Sequence, residues 1–105
     1  MKKNIQFNYL YRDAGNYKNH GSVVFSNPAS LSLEEIDKAI RARLIEGVWF
    51  LHEDFGVPPL FFNDHDVNGD DHGWHEYVGV ESCCDKALQL IDELIKLISK
   101  LQPSD

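Results

Sequence analysis

The first apolar positions of the chain fall on every second residue: Ile5, Phe7, Tyr9 and Tyr11, separated by Gln6, Asn8 and Leu10. That period of two places alternate side chains on one face of a half-buried strand. Arg12 to Asn19 follows, rich in the Asp, Gly and Asn that turns demand. His20 to Ser26, built on Val23, Val24 and Phe25, reads as a second strand. The pair predicts an antiparallel hairpin with a longish polar tip, stopped by Asn27-Pro28.

A helix start comes next. Ser32 can serve as its cap, Glu35 three residues on completes a capping box, and Leu31 with Ile36 fits a hydrophobic staple. Leu33, Ile36, Ile40 and Leu44 make one apolar stripe, with Glu34, Asp37, Lys38 and Arg41 opposite. Gly47 interrupts the pattern. Val48 to Phe55 reads as a second short helix, or a continuation past a kink, ended by Gly56 and Val57-Pro58-Pro59. Leu60-Phe61-Phe62 is too brief for a helix and is expected as a strand, with Asn63 to Gly73 a polar acidic loop. Trp74 to Val80 alternates again, with Trp74, Glu76, Val78 and Val80 on one side and His75 and Tyr77 on the other.

The last segment, residues 83–102, predicts an amphipathic helix. Its apolar positions, from Cys84 through Leu88, Ile91, Leu94 and Ile98 to Leu101, form a stripe wider than one sheet face needs. A second copy of the chain, packed on residues 84–101 as a homodimer, would cover the surplus. The expected order is β-β-α-α-β-β-α. That is one α+β domain over residues 1–105, a four-stranded antiparallel sheet with helices on one face.

Composition narrows the class. With 105 residues, 43% hydrophobic and 26% charged, the chain suits one folded domain. Lys2 and Lys3 precede no apolar run, and no window reaches the roughly 18 apolar residues of a spanning helix. Neither a secretion signal nor a membrane span is expected, and the expected compartment is the cytoplasm. Cys83 and Cys84 are adjacent and cannot staple distant segments; free thiols are the plain reading and a redox pair the alternative.

The net charge of -7 is unevenly spread. Leu44 to Asp85 holds ten acidic residues, four of the five histidines, and no Lys or Arg. The first 43 residues carry seven basic residues against four acidic ones. This balance argues against direct binding to nucleic acid or anionic membrane and is compatible with a cationic partner, with divalent metal, or simply with solubility.

Several of these segments together resemble a family of small hypothetical bacterial proteins. The resemblance lies in Tyr9-Leu10-Tyr11-Arg12-Asp13-Ala14-Gly15-Asn16-Tyr17-Lys18-Asn19, Gly21, Phe25-Ser26-Asn27-Pro28 and Leu31-Ser32-Leu33-Glu34-Glu35-Ile36. It continues in Leu44-Ile45-Glu46-Gly47, Pro59-Leu60 and Asp71-His72-Gly73-Trp74-His75-Glu76-Tyr77. It spans residues 5 to about 81 and leaves out the segment after Cys84. No activity is assigned to that family, so the resemblance implies none here.

Three constellations could carry chemistry. Asp70, Asp71, His72, His75 and Glu76 offer nitrogen and oxygen ligands, of which Asp71, His72, His75 and Glu76 make a candidate divalent-metal set. A strand through 74–80 would point His75 and Glu76 to opposite faces, leaving a solvated acidic loop as the plainer reading. Asp64-x-Asp66-x-Asn68-Gly69 copies the opening of a calcium loop, but His75 stands where a bidentate Glu is required. The hairpin tip gathers Tyr9, Arg12, Asp13, Asn16, Tyr17, Lys18 and Asn19, a mixture suited to partner recognition or simply to closing a turn. Ser22, Ser26, Ser30 and Ser32 lack a nucleophile-elbow context, no phosphate-cradling glycine loop is present, and no catalytic residue is assigned. The reading that follows is a binding or regulatory protein, in one version an inhibitor or immunity-type protein of a bacterial conflict system. Its partner-binding candidates are Tyr9, Arg12, Asp13, Asn16, Tyr17, Lys18, Asp70, Asp71 and Glu76. The alternative is a metal-binding protein or metal-dependent enzyme.

Overall fold

The computed structural model describes residues 4–12, 16–61, 73–87 and 89–101. Its elements are β1 (Asn4–Arg12), β2 (Lys18–Ser26), α1 (Leu33–Arg41), β3 (Trp49–Leu51), α2 (His52–Phe55), β4 (Trp74–Cys83), β5 (Gln89–Leu90) and α3 (Ile91–Ile98). The strands form one curled half-barrel sheet in the order β3-β4-β1-β2-β5. It is mixed, because β5 runs parallel to β2 while the other neighbours are antiparallel.

The hairpin forms as the alternation requires: Ile5, Phe7, Tyr9 and Tyr11 are all buried, and β1 pairs β2 from Ile5↔Phe25 to Arg12↔Lys18. Both bonds of the capping box are present, Glu35 N–H donating to Ser32 Oγ at 3.1 Å and Ser32 N–H to Glu35 Oε2 at 3.0 Å. Asn27, buried at the strand exit, bonds both ways with the Leu31 backbone and so fixes the approach to that cap. Ile36, Ile40 and Leu44 are buried, and Leu33 stays exposed at the end of the stripe.

The inner face of the sheet carries the core. Phe7 sits at its centre, with ring centroids of Tyr9, Phe25, Phe50, Phe55 and Tyr77 between 5.4 and 6.3 Å away. Ile36 and Ile40 of α1 and Ile91, Leu94 and Ile98 of α3 close it from above. Tyr9 and Tyr77 bring hydroxyls into this apolar volume, and each finds an acceptor: Pro58 O at 2.6 Å and Asp37 Oδ1 at 2.6 Å. Asp37 also receives Arg41 Nε at 3.0 Å, and the Arg41 guanidinium lies 5.0 Å from the Tyr77 ring centroid.

The expected four-stranded antiparallel sheet is corrected at three places, each for a local reason. Val48 to Phe55 does not form one helix. Trp49-Phe50-Leu51 is bulky and aromatic, and β4 offers it an open edge, with Phe50 opposite His75 and Tyr77 N–H donating to Val48 O at 2.9 Å. Only His52–Phe55 remains helical, stopped by Gly56 at φ 66°. The order is therefore β-β-α-β-α-β-β-α.

Leu60 and Phe61 lie outside any strand, and side chains satisfy the Leu60 backbone: Leu60 N–H donates to His75 Nε2 at 2.9 Å and Asn19 Nδ2 donates to Leu60 O at 2.9 Å. Phe62 lies outside the described residues. The third correction concerns the C-terminal helix. Strand β1 reaches back to Asn4, so β4 keeps a partner past Val80 and runs to Cys83. Residues 89–90 then pair with β2, and the helix is confined to Ile91–Ile98. Much of the wide stripe is thereby consumed within one chain: Ile91, Leu94 and Ile98 are buried, while Leu90 and Leu97 stay exposed.

The alternation along β4 also breaks once. Asn8 stands opposite Gly79 while Tyr9 stands opposite Tyr77, so Val78 is an extra residue, a β-bulge. The bulge resets the faces: His75 and Tyr77 point inward before it, and Val80, not Val78, packs on the core after it. No helix among the described residues is long and apolar enough to cross a membrane.

Candidate functional site

At the β3 edge of the sheet, the outer face is built by two strands and a tight turn. Ile45 and Trp49 exchange both backbone bonds, Ile45 N–H to Trp49 O at 2.8 Å and Trp49 N–H to Ile45 O at 3.0 Å. Between them Glu46 (φ 54°) and Gly47 (φ 72°) both take the left-handed region, and Val48 N–H closes on Ile45 O at 3.1 Å. Two successive positive φ angles match the right-handed twist of hairpin strands, a position usually given to Asn, Asp or Gly. Glutamate there is the exception.

Trp49 stands opposite Glu76 and Leu51 opposite Trp74. Since Phe50 and His75 point into the core, Trp49 and Trp74 share the outer face as diagonal neighbours. Ile45, Glu46, Trp49 and Trp74 line an open cleft of about 490 Å³. Ile45 is 50% exposed, Trp49 37% and Trp74 36%, a concentration of large apolar surface uncommon outside interaction sites. A smaller cavity of about 230 Å³ adjoins it, reaching Arg43, Asp54 and Leu101. Arg43 is committed there, its Nη1 donating to Leu101 O at 2.9 Å.

Further along the outer face, Arg12 crosses from β1 to β4. Its Nε donates to Glu76 Oε2 at 2.8 Å, Nη2 to Glu76 Oε1 at 3.3 Å and Nη1 to Asn16 Oδ1 at 2.6 Å. Asn16 adopts φ 69°, which brings its amide back over the strand end. The Glu76 hydrogen bond, followed by its charge, pushes the Arg12 pKa further above its ordinary value, so the guanidinium is a fixed cation. The basic tip and the acidic middle, far apart in sequence, thus meet in a two-pronged ion pair.

The sequence candidates therefore separate. Tyr9 is 1% exposed, a core residue rather than part of the tip. Arg12 donates to both Glu76 and Asn16, and Tyr17 and Lys18 stand exposed at the start of β2. Asp13, Asp70, Asp71 and His72 lie outside the described residues, as do His65 and the calcium-loop positions Asp64, Asp66, Asn68 and Gly69.

His75 and Glu76 occupy opposite faces of β4. His75 is fully buried, its ring 5.2 Å from those of Tyr11 and Phe61 and 5.6 Å from that of His52. A backbone amide can only donate, so the Leu60 bond requires an unprotonated Nε2 and leaves the neutral ring's proton on Nδ1. Among the described residues no group of three or more His, Cys, Asp or Glu side chains could hold a metal ion. Cys83 and Cys84 are free thiols, Cys84 exposed.

Sequence reasoning missed Ile45, Glu46 and Trp49. Gly47 marks only a break in the pattern, and the reading of Val48 to Phe55 as helix assigns Trp49 elsewhere. The chain matches no protein-family model, no curated protein and no solved structure.

Proposed function

We propose that this chain is a small acidic binding protein that acts by protein–protein contact, with the outer face at the β3 edge as its contact surface. One observation carries the reading: both tryptophans of the chain line a single open cleft at the sheet edge. Tryptophan, with its large rigid surface and low ordering cost, is the residue most enriched at interface hot spots. The net charge of -7 makes the favoured partner basic. A specific form of this function is an inhibitor or immunity-type protein of a bacterial conflict system, whose target is a basic nucleic-acid enzyme. The metal alternative built on Asp71, His72, His75 and Glu76 draws no support, because His75 and Glu76 diverge and each already has a protein partner.

The test is affinity capture by the immobilised chain over a salt series, run beside the Trp49→Ala/Trp74→Ala double variant. The expected result is a basic protein retained by the wild type, released as salt rises, and lost from a double variant that still melts cooperatively. Equal retention by the double variant, or retention insensitive to salt, overturns the reading.

A further inference from the structure

The cleft at the β3 edge has a specific chemical character beyond being apolar. Among the described residues its lining is Ile45, Trp49, Trp74 and Glu46, of which Glu46 alone is charged. Among the described residues no Lys or Arg lines it. The segment from Leu44 to Asp85 contains no Lys or Arg, Arg43 faces the adjoining cavity with its Nη1 on Leu101 O, and Arg12 is spent on Glu76 and Asn16. Glu46 is also held in the left-handed backbone region, where an ordinary side chain sits at a cost. Asparagine or glycine would serve the turn better, so the carboxylate is not there for the turn.

We propose that the cleft between Trp49 and Trp74 receives a cationic side chain, lysine or arginine, from the basic partner. The inference rests on the binding function proposed above and identifies the group recognised. An ammonium or guanidinium is attracted to an indole ring by the ring quadrupole. Glu46 supplies the opposite charge at the mouth, and Ile45 covers the methylene stem that lysine and arginine lay along apolar surface. A neutral apolar side chain would use the tryptophans and gain nothing from Glu46. A sugar ring would stack on the indoles equally well without needing a charge. An anion would meet Glu46 and the net negative chain. Of these ligands, a cation alone uses every described group that lines the cleft.

Both tryptophans of the protein line this cleft and border the smaller cavity beside it, so intrinsic fluorescence reports on the β3 edge. The probes are N-acetyl-lysine methylamide and N-acetyl-arginine methylamide, with N-acetyl-norleucine methylamide as the neutral control of similar shape and methyl glucoside as the sugar control. All titrations are held at constant ionic strength. The expected result is a saturable change with the two cations, on the order of millimolar for such small fragments. Norleucine should bind roughly two- to five-fold more weakly, the size of an exposed cation–π contact. Glu46→Asn, which keeps the left-handed turn and removes the charge, should weaken the cations and leave norleucine unchanged.

Norleucine or glucoside binding as tightly as lysine overturns the proposal, as does an unchanged cation affinity in a folded Glu46→Asn variant or the absence of saturation with either cation. If the fragments fail while salt-sensitive capture of a basic protein still depends on Trp49 and Trp74, the cation assignment falls and the binding function stands. If that capture fails as well, both fall.

Discussion

Replacing His75 by leucine tests whether this residue is a structural post. Its Nε2 accepts Leu60 N–H at 2.9 Å, and the ring is fully buried among Tyr9, Tyr11, Phe50, His52 and Phe61. Leucine fills much of the same volume without an acceptor, so the dominant loss is the amide left without its partner. A buried donor in that state costs about 1–3 kcal/mol, and the part-buried setting of this bond places the expected loss near 2 kcal/mol. Against the 5–15 kcal/mol total of an ordinary domain that is a large fraction.

Equilibrium urea unfolding should show a lower midpoint at unchanged slope, the mark of lost stability rather than a changed denatured state. The thermal midpoint should fall by about 10 °C, at roughly 4–8 °C per kcal/mol for a domain of this size. His75→Gln, whose amide oxygen can reach the same N–H, should recover part of the loss. A leucine variant within about 0.5 kcal/mol of wild type would refute the reasoning, and so would a glutamine variant no better than leucine.

Two further outcomes follow from the core. Phe7 lies at the centre of five aromatic neighbours, so Phe7→Ala should cost about 3–5 kcal/mol in urea unfolding, and a loss under about 1 kcal/mol would contradict that placement. Burial pushes the Tyr9 hydroxyl from an ordinary 10 up to about 12, and Tyr77 rises in the same direction through burial first and the Asp37 hydrogen bond second. The unfolded chain then releases these protons before the folded one does. Stability is whole below pH 10 and falls between pH 10 and 12, by about 2–3 kcal/mol for Tyr9 alone at ~1.4 kcal/mol per pH unit. Melting curves from pH 9 to 11.5 should show this fall reduced in Tyr9→Phe; an identical fall in both proteins would refute it.

What could be read from the sequence was whatever local rules decide. The hairpin follows from strict alternation in residues 5–11, and the start of α1 from Ser32 and Glu35 bonding each other. What could not be read depended on a distant partner. Trp49-Phe50-Leu51 becomes a strand because β4 presents a free edge, and nothing within Val48 to Phe55 announces that edge. Strand β4 continues to Cys83 because β1 begins at Asn4, some eighty residues away in sequence. The bulge at Val78 is equally silent, since one extra residue in one strand has meaning only against the register of the other.

The charge pattern shows the same limit and points to the surface that matters. Along the chain, a basic N-terminal part precedes an acidic middle, which suggests two opposed regions. In space the two are joined, because Leu10 stands opposite Glu76 in the β1–β4 ladder and Arg12, on the same face, reaches back to that carboxylate. The pair ties Arg12 to both Glu76 and Asn16 at the surface. Glu46 is different: it is exposed, sits at φ 54° on a turn that a smaller residue would suit better, and borders both tryptophans. Glu76 already has a cation within the chain, whereas Glu46 is displayed at a conformational cost beside exposed aromatic surface. That contrast is the reason the proposed contact surface is set at the β3 edge.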